Sequence, residues 1–448
     1  MKRNWYDKKV LVLGLSKSGI SAAKYLASKG ALCFISESSS TSKNEELIPE
    51  LESLGIKVEL SGHSDEFVND SYIAVTSPGI PPRSEIFSRL KEQKTPVVSE
   101  IELAYLETLS PFVAITGTNG KTTTTALVEH ILGDEYKAPA CGNIGLPPTS
   151  LLGQKNDYLV CEVSSYQIEM SPTFRPQIAC FLNFTPDHID WHEGLDNYFK
   201  AKTKLFADYK QPTFSVFNAL DEKVFEFGQK YSGEKFFFGK ELDKNCCYVK
   251  DGNVVFKRKT EEQIIPVDEI TLVGEHNLQN IMCAIIIAKL VGVENQKIKE
   301  LIKTFKAVEH RIEFVANISG KAFYNDSKAT NPEASIFALK SFEGKTMTLI
   351  AGGRDKNTDL SEFCEVIKEK VNNVILIGEA AQRFSENLKN SGYNSIDFAS
   401  SMEEAVDLAL KMNNEIVLLS PACASFDMYD SFEHRGEVFK EYVLSRVQ

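Results

Sequence analysis

The chain has 448 residues, 43% of them hydrophobic and 25% charged, enough apolar material for about three cores at roughly 150 residues per domain. A formal net charge of −12 excludes nonspecific binding to nucleic acid or to an anionic membrane as the main task, because both need a basic face. Nine scattered cysteines without a Cys-x-x-Cys pair suit reduced thiols rather than a disulfide frame or a zinc knuckle. No run approaches the ~18 apolar residues of a membrane helix, so a cytoplasmic protein is expected.

Val10-Leu11-Val12-Leu13 reads as a buried strand, Gly14 as a turn and Ser18 to Ala23 as a helix start. This is a Rossmann-like pattern, with Ser16 standing where a middle glycine would let a pyrophosphate approach the backbone. A second strand, Ala31 to Ile35, runs out at Ser36-Glu37-Ser38, an acid placed where such folds hydrogen-bond a ribose or base. An NAD-dependent dehydrogenase is therefore a rival at this point. Further alternation of strand and helix carries this first α/β domain over residues 1–98.

A central domain is expected over residues 99–307. Phe112-Val113-Ala114-Ile115 is an apolar strand, Ala126 to Leu132 has helical spacing, and between them stands Thr116-Gly117-Thr118-Asn119-Gly120-Lys121-Thr122-Thr123. Glycines at a helix N-terminus let backbone N–H groups surround an anion; Lys121 then reaches terminal phosphates and the Thr122 hydroxyl holds Mg²⁺. The first glycine of the standard phosphate loop is replaced by Ile115. Tyr158 to Val163 is a strand that carries Glu162 at its end, a hard oxygen suited to the same Mg²⁺. His188 and His192 lie four apart but lack the His-Glu-x-x-His order, and Pro186 and Gly194 suggest a loop. That argues against zinc-protease chemistry and leaves His188 near a second Mg²⁺ or the reacting phosphate. Asn277 and Asn280 share the first-turn face of an apolar helix, close to where a nucleotide could sit. Residues from about Gln211 to Asp268 show no chemistry.

The last domain, residues 308–448, opens on His310-Arg311 and a polar turn, Asn325-Asp326-Ser327-Lys328-Ala329-Thr330-Asn331. Lys328 and Thr330 suit a carboxylate, and Asp326 suits a nucleotide or a phosphate held by Lys121. Two later strands end at Gly352-Gly353-Arg354-Asp355-Lys356 and Ser420-Pro421-Ala422-Cys423-Ala424-Ser425, as ligand loops of a doubly wound sheet do.

With these stretches in order, the chain resembles the Mur ligases of peptidoglycan synthesis along essentially its whole length. The resemblance rests on Thr116 to Thr123, Glu162 to Gln167, His276-Asn277, His310-Arg311, Asn325 to Asn331 and Leu419 to Ser425. It implies an α/β protein of three domains: a Rossmann-like UDP-binding domain, a central P-loop ATPase-like domain with a mostly parallel sheet, and a Rossmann-like C-terminal domain for the amino acid. The activity implied is ATP-dependent addition of D-glutamate to UDP-N-acetylmuramoyl-L-alanine through an acyl phosphate. The UDP-sugar would meet Ser18, Glu37 and Asn143, with Ser164 and Gln167 also on the substrate. Family members usually carry Asp and glycine where this chain has Glu37 and Ser16. Lys202 matches the family's carbamylated lysine, an oxygen ligand for one of two Mg²⁺ beside His188 and Glu162. Arg311 and Asp326 would complete the ATP site beside Asn277, and Lys328, Thr330, Lys356, Ser425, Phe426 and Phe432 would line the amino-acid site. Domain closure before chemistry, a monomer, and no nucleic-acid or membrane partner are expected. A folylpolyglutamate synthase would share the ATP loop, but the first domain and the Ser425 region favour the muramoyl substrate. A UDP-sugar-binding protein without catalysis is the other alternative.

Overall fold

The computed structural model describes residues 3–447 apart from 82, 187–188, 273, 307, 343 and 356–357, and the backbone alone at 43, 189, 190 and 210. It contains three sheets in two compact units, Met1–Glu269 with Gln279–Lys303, and Ile270–Leu278 with Thr304–Gln448. No helix among the described residues is long and apolar enough to cross a membrane, and all nine cysteines are free and buried.

The first unit holds two of the sheets. Strands Lys9–Leu13, Leu32–Ser36, Lys57–Glu59, Ile73–Thr76 and Val97–Ser99 lie side by side in the order 3-2-1-4-5 and are all parallel. Val10 to Leu13 are buried on both faces, which is why this strand is continuously apolar rather than alternating. The helix Lys17–Ser28 begins at Ser16, whose side chain accepts from Gly19 N at 3.3 Å.

The central sheet has nine strands with Phe112–Thr116 between Leu159–Glu162 and Ile178–Phe181. Its far half comes from the segment in which the sequence shows no chemistry: Phe214–Asn218, Lys235–Phe238 and Cys246–Lys250 extend the parallel part, and Asn253–Lys257 and Glu261–Pro266 add an antiparallel edge. Helix Glu100–Glu107 joins the two sheets through three buried carboxylates. Glu107 accepts from Trp5 Nε1 and from the Tyr25 hydroxyl, both at 2.9 Å. Glu102 accepts from Thr173 N at 3.0 Å and Glu100 from Thr149 N at 2.6 Å.

Burial pushes the Glu100 carboxyl up from 4.5 to about 7, against the opposing bonds from Thr149. The native state therefore holds this proton more tightly than the unfolded chain does. The stability tied to it is fully present below pH 4.5, falls as the pH rises towards 7 and is flat above. Glu100→Gln keeps an acceptor for Thr149 N and removes the buried charge. It should stabilise the unit by about 3 kcal/mol at pH 8 and by little at pH 4.5. Urea unfolding at the two pH values checks this, and an equal effect at both would contradict it.

The second unit carries a six-stranded sheet in the order Glu313–Ile318, Lys321–Asn325, Ile416–Leu419, Met347–Gly352, Asn373–Ile377 and Ile396–Phe398. Only the first pair is antiparallel. In both parallel regions the polar turns singled out in the sequence follow the carboxyl ends of central strands, where doubly wound sheets bind ligands.

Candidate active site

In the first unit, the strand Phe112–Thr116 is buried throughout and delivers the glycine-rich turn to the helix Lys121–Leu132. Gly120, at the helix N-cap, has φ +79° and no side-chain cap covers this end. A Cβ there would stand 2.5 Å from Asn280 Oδ1, so both the backbone angle and the neighbour demand glycine. The turn is clamped by Asn183, whose side chain accepts from Asn119 N at 2.8 Å and donates to Asn119 O at 3.0 Å. Thr118 N donates to Asn183 O at 3.0 Å, and the Thr118 hydroxyl donates to Thr185 O at 3.1 Å.

Two ammonium groups converge on this turn. Lys121 Nζ donates to Gly117 O at 3.0 Å and to Thr118 O at 2.7 Å. Lys202 Nζ, on a side chain 1% exposed, donates to Gly117 O at 2.7 Å and lies 4.7 Å from the centre of the Tyr198 ring. Thr123 sits in the first helical turn, buried. Cations gathered at a helix N-terminus make an anion site inside an acidic protein.

The opposite wall is the end of the strand Leu159–Glu162. The Glu162 carboxylate, 2% exposed, accepts from the Thr122 hydroxyl and from Asn143 Nδ2, each at 2.9 Å. Among the described residues it has no cationic partner. A buried carboxylate facing a hydroxyl, with its charge unmatched, is the hard-oxygen donor set that fits Mg²⁺ beside a phosphate loop. Asn143, expected to touch the UDP-sugar, is thus tied to Glu162. Ser164 and Gln167 satisfy one another as a capping box of the short helix Ser165–Glu169, with Gln167 Oε1 accepting from Ser164 N at 3.0 Å. One helical turn, Ile189–His192, stands where the sequence suggested a loop. His192 Nε2 lies 2.9 Å from Ser165 Oγ. His188 and Lys356 fall outside the described residues.

At the first sheet, the Ser16 hydroxyl lies 2.8 Å from that of Ser77 and 3.0 Å from that of Ser18. Glu37 Oε2 accepts from Leu15 N at 2.9 Å and Oε1 accepts from Ser39 N at 3.0 Å. Burial pushes its carboxyl up, but the donors from Leu15, Ser39 and Ser38 outweigh it and hold it below the usual range.

In the second unit, Asp326 is 4% exposed. It accepts from the Ser420 hydroxyl at 2.7 Å and from Ile312 N at 3.3 Å. Burial pushes it up to about 7, although Ser420 and the charge of Arg311 pull the other way. Arg311 Nε is buried without a hydrogen-bond partner. Its charge, after burial itself, helps to depress His276 to about 4, so His276, Arg311 and Asp326 share one neighbourhood. Asn277 opens the helix Glu275–Val291, its N–H donating to Gly274 O at 3.0 Å. Lys328 Nζ lies 5.5 Å from the centre of the Phe432 ring. Thr330 N donates to Lys328 O at 2.9 Å. Ser425 is buried at 2% exposure while the neighbouring Phe426 is 69% exposed.

One residue under these loops gave no signal in the sequence. Arg435, on the helix Phe432–Ser445, is 1% exposed. It donates to Ser327 Oγ at 2.9 Å, Ser327 O at 2.8 Å, Cys423 O at 3.1 Å and Ala424 O at 3.3 Å. Burial lowers it to about 10, still charged at neutral pH. It ties the turn that carries Lys328 to the turn that carries Ser425. Asn183 was missed too; an amide inside the apolar run Phe181 to Phe184 was the available clue.

Three family models match in sequence order: the Mur ligase MurD-like N-terminal domain over residues 8–99, the Mur ligase middle domain over 115–288, and the Mur ligase glutamate ligase domain over 310–423. The chain is 39% identical over 446 residues to the UDP-N-acetylmuramoylalanine--D-glutamate ligase of Caldanaerobacter subterraneus, covering 98% of both chains. It is 40% identical over 445 residues to the enzyme of that name from Thermoanaerobacter pseudethanolicus, covering 97% of this chain and 98% of the other. Among solved structures, MurF ligase from Thermotoga maritima in complex with ADP aligns over 100% of both chains with a TM-score of 0.60 at 17% identity. UDP-N-acetylmuramate-alanine ligase MurC from the same organism aligns over 98% of this chain and 99% of its own with a TM-score of 0.59 at 18% identity. These distant structures share the three-domain α/β fold, and the sequence relatives and domain models fix the kinship. The chain belongs to the Mur ligase family.

Proposed function

We propose that the chain is an ATP-dependent ligase that joins D-glutamate to UDP-N-acetylmuramoyl-L-alanine, releasing ADP and phosphate, in the synthesis of peptidoglycan precursors. The observation that carries this reading is the match, at 39% identity over 98% of both chains, to an enzyme named for that reaction. The geometry of the glycine-rich turn supports it.

ATP phosphates would lie across the N–H groups from Gly117 to Thr123, and Lys121 would exchange its two loop carbonyls for phosphate oxygens. A carboxylate oxygen of the nucleotide sugar attacks the γ-phosphorus and ADP leaves. The D-glutamate amine then attacks the acyl carbon, and the tetrahedral adduct collapses to amide by expelling phosphate. Lys121 offsets charge spreading over the transferred phosphoryl group. Thr122 would hold one Mg²⁺, and carbamylated Lys202 would serve a Mg²⁺ beside His188 and Glu162; bound there, the metal would neutralise phosphate charge. Carbamylation would turn a buried cation into an oxygen ligand.

Asn277, Arg311 and Asp326 are assigned to ATP. Lys328, Thr330, Lys356, Ser425, Phe426 and Phe432 are assigned to D-glutamate, since cations and hydroxyls suit its two carboxylates. Ser18, Glu37, Asn143, Ser164 and Gln167 are assigned to the nucleotide sugar, with residues 1–98, 99–307 and 308–448 as the domains of a monomer. The test is phosphate release from Mg-ATP and UDP-N-acetylmuramoyl-L-alanine with D-glutamate, L-glutamate or neither. Release that needs D-glutamate and yields one amide per phosphate is expected. Release with another amine in place of D-glutamate would overturn the substrate assignment.

A further inference from the structure

We infer that Asp427 is a positioning residue for the amino-acid site: its carboxylate reaches across the end of the strand Met347–Gly352 and fixes the turn that carries Ser425 and Phe426. This rests on the assignment of Ser425 and Phe426 to D-glutamate and deepens it by naming the group that places them.

Three loops leave the carboxyl ends of adjacent strands. Ile416–Leu419, Met347–Gly352 and Asn373–Ile377 lie side by side in that order, so the loop after Met347–Gly352 is the middle one. Backbone bonds tie it to both neighbours: Gly352 N donates to Pro421 O at 2.8 Å, Arg354 N to Ala424 O at 2.9 Å, and Ala380 N to Gly353 O at 2.8 Å. On the side of Ser425 these ties end at Ala424. Residues 425–429 then close on themselves, with Met428 N and Tyr429 N both donating to Ser425 O, at 3.1 Å and 2.9 Å. Phe426 is 69% exposed, so packing does not hold it. Among the described residues, one hydrogen bond joins this turn to the loops beside it: Glu379 N donates to Asp427 Oδ2 at 3.0 Å.

The backbone around Asp427 is shaped to admit it. Gly378 has φ +73°, and a Cβ on it would collide with Asp427 Oδ2 and stand 2.9 Å from Gly353 Cα. Gly353, at φ +134°, leaves no room for a Cβ beside Ala424 O. Two bare glycines thus let the carboxylate pass from the loop after one strand to the loop after the next but one. Asp427 Oδ1 is buried without a hydrogen-bond partner, and the charge of the carboxylate acts on the buried Arg435 guanidinium. Fold stability alone does not favour that oxygen, because a buried acceptor left unmet is destabilising. What the residue supplies is the placement of Ser425 and Phe426.

The test is steady-state ligation by the whole chain with D-glutamate varied and the other two substrates saturating, for the unaltered protein, Asp427→Ala and Asp427→Asn. Asp427→Ala should raise KM for D-glutamate on the order of tenfold, the weakening expected when one or two ligand hydrogen bonds are lost. Its kcat should stay within about threefold and its KM for ATP should not move. Asp427→Asn keeps an acceptor for Glu379 N and should bring KM for D-glutamate back to within about threefold of the unaltered protein. Amide exchange along Ile416–Leu419 should be the same in all three. An equal rise in both KM values, or lost protection along that strand, would show a merely structural role and overturn the inference. A rise in Asp427→Asn as large as in Asp427→Ala would overturn it too, since the bond to Glu379 N would then not place the turn. D-glutamate-dependent ligation with an unchanged KM for D-glutamate in Asp427→Ala would overturn the inference and leave the enzyme assignment standing. An unaltered protein without D-glutamate-dependent ligation would overturn both.

Discussion

Lys121→Ala should lower kcat on the order of 10³-fold, the usual loss when a phosphoryl-transfer site gives up a cation aimed at the migrating group. In the structure Lys121 Nζ is held by the carbonyls of Gly117 and Thr118, both in its own loop. Its removal therefore costs the fold little, and the thermal transition should barely move. The turn itself is held by Asn183, which bonds both the N–H and the carbonyl of Asn119. Phosphate release under saturating substrates checks the prediction. A variant within tenfold of the parent would mean that the loop binds nucleotide without promoting transfer, as in a nucleotide-sugar-binding protein that lacks catalysis.

Arg435→Ala should destabilise the second unit by at least about 3 kcal/mol. The substitution empties a volume the size of a guanidinium stem and leaves the Ser327 hydroxyl and the carbonyls of Ser327 and Cys423 without their donor, while Ala424 O keeps the bond from Arg354 N at 2.9 Å. Each buried acceptor left unmet costs about 1–3 kcal/mol, with partial relief as the loops relax. Arg435→Lys should recover only part, because one ammonium cannot reproduce a planar fork of donors. Both tryptophans, Trp5 and Trp191, lie in the first unit, so their fluorescence would miss the effect. Amide hydrogen exchange along Ile416–Leu419 reads it directly, with faster exchange expected there and unchanged protection along Phe112–Thr116. Unaltered exchange in both strands would contradict the structural role assigned to Arg435.

The glycine-rich turn was legible because strand, glycines, lysine and helix occupy consecutive residues, so local chemistry and local structure agree. Glu162 was legible for a similar reason, as a lone acid closing an apolar strand. Arg435 was not. An arginine in Glu433-His434-Arg435-Gly436 looks like a solvated helix face, and only the approach of two loops distant in sequence makes it a buried clamp. Ser16 shows the converse. In sequence it departs from a nucleotide-binding fingerprint, whereas in the fold its hydroxyl caps the helix and meets Ser77. The stretch from Gln211 to Asp268 shows no chemistry in its sequence, yet it builds about half of the central sheet. Strand pairing across long separations leaves little local trace beyond alternation. Glu100 and Asp326 were visible as residues, but their shifted titration is a property of burial, which the folded chain alone reveals.

The most direct test of the acyl-phosphate account is to follow oxygen. UDP-N-acetylmuramoyl-L-alanine labelled with ¹⁸O in its carboxylate is ligated to D-glutamate with unlabelled ATP and water, and the released phosphate is analysed by mass. Transfer of one labelled oxygen into each phosphate is predicted, because the attacking carboxylate oxygen leaves with phosphorus when the amide forms. Amide formation with unlabelled phosphate would contradict it, since the carboxylate would then never have been phosphorylated.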